Sequence, residues 1–306
     1  MRSVYVSAED LRSVISMAGA IAEVRQAFIG LARDEFDMPQ RVVLGDGQFL
    51  IMSAHHRPTG SAVVKTLSLN FERAPAISGT LVWSELARVD HLVADAAAVT
   101  TLRTGAVVGV ATDLLAPAAA DRLVMIGAGA QAADQVRAVH CVRPLRELTV
   151  VDRDPARADA LGLRLTSELP GVRIAAATDA EQAVEGADIV CCATTASEPL
   201  FRAEALAHRV HVNAIGSFRP DMRELPPQLL AEATVVVDQA EAALAEAGEV
   251  IHAVSNGLLK RGELIELGTA LAADGPIAAP RTVFKTVGVA VQDWAVGCAL
   301  ARAKLG

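Results

Sequence analysis

Residues 123–132 read Leu123-Val124-Met125-Ile126-Gly127-Ala128-Gly129-Ala130-Gln131-Ala132, and this stretch decides the fold. Its first four residues form a short continuous apolar run, as a parallel strand buried on both faces requires. The turn that follows has G-x-G-x-x-A spacing. Gly127 permits a tight turn, Gly129 lets the backbone approach a pyrophosphate, and Ala132 is small enough for close helix–strand packing. A helix starting near Gln131 presents N–H groups and a partial positive charge to phosphates. Asp152 ends the next apolar run, Leu148 to Val151, where a carboxylate meets the adenosine ribose hydroxyls. That carboxylate disfavours a 2′-phosphate, whereas Arg153 beside it can stack on adenine or pair with one. The expected dinucleotide contacts are Gly127, Gly129, Ala130, Gln131, Asp152 and Arg153, with NAD(H) favoured and NADP(H) left open.

Working outward, strand-like runs recur at Val172–Ala175, Asp188–Cys192, Val210–Ile215 and Val235–Val237, joined by helical spacing. This alternation describes an α/β fold with a Rossmann-type doubly wound sheet over residues 118–281. The first 117 residues read as α+β. Helical sequence at Ser7–Leu31 precedes strands at Arg41–Leu44, Phe49–Ser53, Ala62–Leu69 and Gly79–Trp83, then a helix at Asp95–Leu115. Gly45-Asp46-Gly47 looks like a hairpin turn. The stretch Thr282–Lys304 has helical periodicity and can return to pack on this half. Residues 1–117 and 282–306 are thus expected to form one discontinuous domain. A chain of 306 residues fits two domains.

Composition narrows the function. Lys plus Arg number 28 against 36 Asp plus Glu, a net charge of −8, and aromatics make up 3%. That balance argues against nucleic acid and anionic membranes as partners. The best membrane-span candidate, Val283–Leu300, is broken by Lys285 and Asp293, and Glu9, Asp10 and Arg12 stand where a signal peptide needs apolar sequence. Cys141, Cys191, Cys192 and Cys298 form no C-x-x-C and no metal spacing. The expectation is a soluble cytoplasmic protein without disulfides or metal.

Three cations interrupt apolar segments of the first half: Arg41, Lys65 and Arg103. A charge in an apolar strand needs a partner or a ligand, since burying it alone is costly. Together they suit a small carboxylate; separately, each could pair with a structural acid. His55 and His56 fall in an expected loop, where either could donate a proton. Phe218-Arg219-Pro220-Asp221-Met222-Arg223-Glu224 follows a strand through Gly216, at the strand end where open α/β sheets bind ligands.

Five segments taken in order resemble the ornithine cyclodeaminase/μ-crystallin family. They are Ser61-Ala62-Val63-Val64-Lys65-Thr66, Arg103-Thr104-Gly105-Ala106, the turn at 126–132, Asn213-Ala214-Ile215-Gly216-Ser217 through Leu225, and Thr282-Val283-Phe284-Lys285-Thr286-Val287-Gly288 through Asp293. The resemblance implies a homodimer that uses NAD(H) or NADP(H) on small amino or imino acids, with a substrate and dimerisation domain around a Rossmann domain. By position it places Arg41, Lys65 and Arg103 at the substrate carboxylate and Thr80 in the same pocket. It places Thr194 and Ser217 beside the nicotinamide, with Lys285 and Gly288 approaching from the last helix.

The departures bear on the activity. Ornithine cyclodeaminases carry a catalytic aspartate where this chain has Phe218, and a glutamate in the strand near Leu50–Met52, which is apolar here. A phenyl ring exchanges no protons. The Arg219-Pro220-Asp221 loop instead resembles the branch of μ-crystallin and Δ1-pyrroline-2-carboxylate reductase. The leading expectation is reduction of Δ1-pyrroline-2-carboxylate or Δ1-piperideine-2-carboxylate to proline or pipecolate, with Lys65 as catalytic residue. The alternatives are an ornithine cyclodeaminase, an alanine dehydrogenase, an opine-type condensing enzyme, and a binding protein that retains the dinucleotide.

Overall fold

The computed structural model describes residues 3–273 and 277–306. It divides into two compact units, Met1–Val107 with Val289–Gly306, and Val108–Gly288. The division falls ten residues before the expected boundary on the first crossing and seven after it on the second, where the strand Arg281–Lys285 belongs to the second sheet.

The first unit is built on a seven-stranded sheet. Its strands are β1 (Ser3–Val6), β2 (Phe36–Asp37), β3 (Val42–Leu44), β4 (Phe49–His56), β5 (Ser61–Leu69), β6 (Ile77–Glu85) and β7 (His91–Asp95). They run in the order β1-β7-β6-β5-β4-β2, with β3 also paired to β4. The β3–β4 turn is the Gly45-Asp46-Gly47 hairpin, whose three residues all have positive φ. Helices α1 (Ala8–Val14) and α2 (Met17–Ala32), the start of α3 (Ala96–Leu115) and the C-terminal helix α11 (Ala290–Leu305) complete the unit. The last of these packs on α2 and on β4, β5 and β6. Strand alternation therefore gives β5 two unlike faces: Val63, Lys65 and Leu67 are buried, while Val64 and Thr66 are exposed. On the open face Val64, Val82, Val93 and Tyr5 fall in one cross-strand row. His55 and His56 lie within β4 and not in a loop, because both continue its pairing with β5.

The second unit holds eight parallel strands: β8 (Arg122–Ile126), β9 (Glu147–Val151), β10 (Arg173–Ala177), β11 (Ile189–Cys192), β12 (Val210–Ala214), β13 (Thr234–Val237), β14 (Ile265–Glu266) and β15 (Arg281–Lys285). Their order is β10-β9-β8-β11-β12-β15-β13-β14. Helices α4 (Ala132–Val142), α5 (Pro155–Glu168), α6 (Ala180–Ala183), α7 (Pro227–Glu232), α8 (Ala240–Glu246), α9 (Gly248–Ser255) and α10 (Leu267–Ala272) make the connections. Strand β15 corrects the helical reading of Thr282–Lys304. Thr282-Val283-Phe284-Lys285 is β-branched and aromatic, and it inserts between β12 and β13, buried on both faces. Only from Ala290 is the tail helical. By length and composition α3 could cross a membrane, yet 78% of its apolar window is buried within the protein.

Candidate active site

In the first unit, Lys65 emerges on the covered face of β5 with its side chain fully buried. Its Nζ donates to Asp293 Oδ1 at 2.7 Å and lies 3.4 Å from Thr100 Oγ1. Arg103, one helical turn along α3 from Thr100, places Nε 3.4 Å from the same Asp293 oxygen. A guanidinium nitrogen of Arg103 also donates to Gln292 Oε1 at 2.5 Å. The other Asp293 oxygen, Oδ2, is buried without a hydrogen-bond partner. Burial pushes the Lys65 ammonium down to about 7; Asp293 opposes that shift, while Arg103 and Arg41 add to it. Arg41 sits half-buried just ahead of β3.

Not every expected residue joins this cluster. Thr80 is exposed and registers with Thr66, whereas Lys65 registers with Leu81. The pleat turns successive side chains to opposite faces, so Thr80 stands on the open face and outside the ion cluster. His55 contacts Asp37 at 3.0 Å, and His56 packs against the rings of Phe36 and Trp294.

In the second unit, Gly127 has φ +98°, and a Cβ there would come within 2.6 Å of the Ala193 carbonyl. Gly129 leaves open space apart from the Arg157 guanidinium, 3.8 Å from where its Cβ would stand. No side chain caps the start of α4, and Gln131 Oε1 is buried without a partner. Asp152 Oδ2 accepts from the Ala128 N–H at 2.8 Å, which ties the carboxylate to the turn. Ala130 lies within the same turn, and Arg153 is exposed just after β9. The turn faces the switch point between β8 and β11, where strand order reverses and open sheets bind ligands. An open backbone turn, an uncapped helix start and an acid at the ribose position fit a dinucleotide.

Behind this turn the buried side chains are committed to one another. Glu224 accepts from Thr194 N at 2.6 Å, Thr194 Oγ1 at 2.9 Å, Gly216 N at 2.7 Å and Ser217 N at 3.3 Å. Burial raises its pKa, partly offset by Lys285. Ser217 Oγ donates to the Met222 carbonyl and accepts from Gly248 N–H. Lys285 is fully buried at the end of β15, not on the last helix; it donates to the Ser217 carbonyl at 2.5 Å and pairs with Glu249 at 3.1 Å. Gly288 N–H donates to Asp238 Oδ2 at 2.9 Å. The side chains of Ser217 and Lys285 are thus buried, while Thr194 is half-exposed.

The sequence profile of the ornithine cyclodeaminase/mu-crystallin family matches residues 1–301. The chain belongs to this family. A Δ1-pyrroline-2-carboxylate reductase of Bacillus cereus is 40% identical over 202 residues, 63% of this chain and 61% of that protein. The match thus spans about three-fifths of that relative's length. An L-lysine cyclodeaminase of Streptomyces rapamycinicus is 35% identical over 96% of this chain and 90% of that protein. Among solved structures, Thermococcus litoralis Δ1-pyrroline-2-carboxylate reductase in complex with NADH and L-proline superposes with a TM-score of 0.92. It is 28% identical and covers 99% of this chain and 97% of that one.

Within this family frame, Phe218 is half-buried with the Arg219 guanidinium 6.0 Å from its ring centre, and Leu50 and Met52 are core residues. The sequence reading missed Asp293, Gln292, Glu224 and Glu249. Asp293 has a visible signal: it is an acid among the apolar residues 289–301 and closes the last of the five family-like segments.

Proposed function

We propose that this chain is a nicotinamide-dependent reductase of small cyclic imino acids, taking Δ1-pyrroline-2-carboxylate or Δ1-piperideine-2-carboxylate to proline or pipecolate. The observation that carries the reading is the buried Lys65–Arg103–Asp293 cluster, with Arg41 close enough to act on Lys65. Lys65, Arg103 and Arg41 are the cations offered to the carboxylate of an anionic substrate. Arg103 and Arg41 hold the substrate carboxylate. Lys65 gives its proton to the imine nitrogen and is reprotonated from water, and the iminium carbon then accepts hydride to become the amine carbon. The bound dinucleotide supplies that hydride.

Gly127, Gly129, Ala130 and Gln131 offer the turn to the pyrophosphate, Asp152 takes the ribose hydroxyls, and Arg153 leaves room for NADPH beside the favoured NADH. Thr194 lies toward the nicotinamide. Ser217, Lys285 and Gly288 act from behind, by holding the loop backbone. Thr80 remains available only to a substrate edge on the open face of the sheet. That open face, with its apolar row of Tyr5, Val64, Val82 and Val93, supports a homodimer. Four free cysteines fit a reducing cytoplasm.

The full-length likeness to a lysine cyclodeaminase favours a second reading, deamination and ring closure of a diamino acid. Phe218 and the apolar Leu50–Met52 strand weigh against it, since neither supplies a proton-exchanging group. The test is loss of reduced-nicotinamide absorbance with synthetic Δ1-pyrroline-2-carboxylate and NADH or NADPH. Rapid loss supports the reductase. Ammonia release from ornithine or lysine, with no loss of the reduced cofactor, replaces it with the cyclodeaminase.

A further inference from the structure

Three charged groups act on Lys65. Asp293 faces it from α11, Arg103 from α3, and Arg41 from the segment before β3, with the neutral Thr100 hydroxyl beside them. Among these, one group alone favours the ammonium. The same Asp293 oxygen bridges Lys65 at 2.7 Å and Arg103 at 3.4 Å, while the second oxygen stays buried and unmatched by any donor. A buried carboxylate oxygen without a donor is unfavourable, so packing alone does not account for an acid at this place. The first turn of α11 fixes it there, and Gln292 beside it reaches the Arg103 guanidinium.

We propose that Asp293 is the positioning residue of the substrate site: it aims the Lys65 side chain and supplies its counter-charge. The inference rests on the reductase reading above, which makes Lys65 the proton source. Without Asp293, burial and both arginines act on Lys65 unopposed. The lysine then loses its proton, and with it both the proton for the imine and part of the attraction for the carboxylate. Asp293 itself exchanges no proton with substrate; it acts through Lys65.

The test is Asp293→Asn, which keeps the shape and removes the charge. The alkaline limb of the kcat/KM profile should move acidward by about 1–3 pH units, the span an adjacent opposite charge commands. At about pH 8 the variant should lose roughly 10- to 100-fold, and less at about pH 6. NADH binding, read by nicotinamide fluorescence, should stay within about twofold, because the dinucleotide turn lies in the other unit. An unmoved limb with only a lowered melting temperature overturns the proposal and leaves Asp293 structural. If D293N does not fold, Asp293→Glu decides. A limb that stays near the wild-type position with reduced kcat supports the inference; a displaced limb overturns it. Failure of the reductase reading is recognised separately, as wild-type protein that binds NADH and turns over no imino acid.

Discussion

Lys65 and Lys285 are both fully buried lysines, each paired with a carboxylate, and their surroundings have opposite sign. Around Lys65 stand one aspartate and two arginines, with an aspartate oxygen left unmatched. Around Lys285 stand Glu249 in contact and Glu224 nearby, and the lysine spends a hydrogen bond on the Ser217 carbonyl. In the proposed function the first arrangement, with two guanidiniums acting on the lysine, serves an incoming anion. The second has negative charge to spare and acts on its own backbone, through the amides that Glu224 collects. Buried charge alone therefore does not mark a site; the sign of the excess and the valences left open do.

The sharpest way to break this comparison is to remove each lysine in turn. Lys65→Met should abolish imine turnover, by at least about a thousandfold, with NADH affinity within about twofold, as expected when a proton donor and anion partner are lost together. Retained activity would remove Lys65 from the mechanism and with it the contrast. Lys285→Met should act on stability instead. It strands Glu249 in the core, at a cost of about 3–5 kcal/mol read by urea unfolding. Adding Glu249→Leu should return much of that loss, since the stranded charge disappears with it. A double variant no better than the single would mean that Lys285 works through something other than this pair.

A third measurement extends the contrast to an uncharged group. His211 is fully buried, between Thr282 Oγ1 at 2.9 Å and Asn213 Oδ1 at 3.1 Å, and burial pushes its pKa down to about 4. The unfolded chain protonates this histidine near pH 6.5, while the folded one resists until about 4. The unfolded state therefore binds more protons in this window, and stability falls as pH drops through it, by about 3 kcal/mol in full. Urea midpoints of His211→Gln should depend less on pH between about 6.5 and 4 than those of wild type. Parallel dependences would take His211 out of the acid response.

How much of this was legible follows from periodicity. The strand–turn–helix at 123–132 has a local signature, and so do the alternating runs that build β9 to β13. The segment Thr282-Val283-Phe284-Lys285 did not, because the helix that begins at Ala290 follows closely and the apolar spacing runs on without a break. Its strand identity comes from the slot between β12 and β13, a tertiary fact. Arg41, Lys65 and Arg103 announced themselves as charges in apolar sequence. Their counter-charge did not, for Asp293 is 228 residues from Lys65. Thr80 shows the same limit in reverse: its face is set by register with β5, which no motif spells out.

The smallest predicted effect probes the other half of the comparison. Glu224 takes four hydrogen bonds with its two oxygens, from the loop after β11 at Thr194 and the loop after β12 at Gly216 and Ser217. Those loops also touch without intervening side chains, since a Cβ on Gly216 would come within 2.1 Å of the Thr194 carbonyl. In Glu224→Gln the amide oxygen can still serve one loop, but the NH2 group then faces the N–H donors of the other. A donor opposed to a donor should cost about 1–3 kcal/mol in urea unfolding. It should also loosen the loops enough to weaken NADH binding, with the KM for the imino acid changed less, because Arg41, Lys65 and Arg103 belong to the first unit. Equal weakening of both would mean that the two units respond to this carboxylate as one, and the division into an anion-seeking cluster and a backbone-holding one would have to be redrawn.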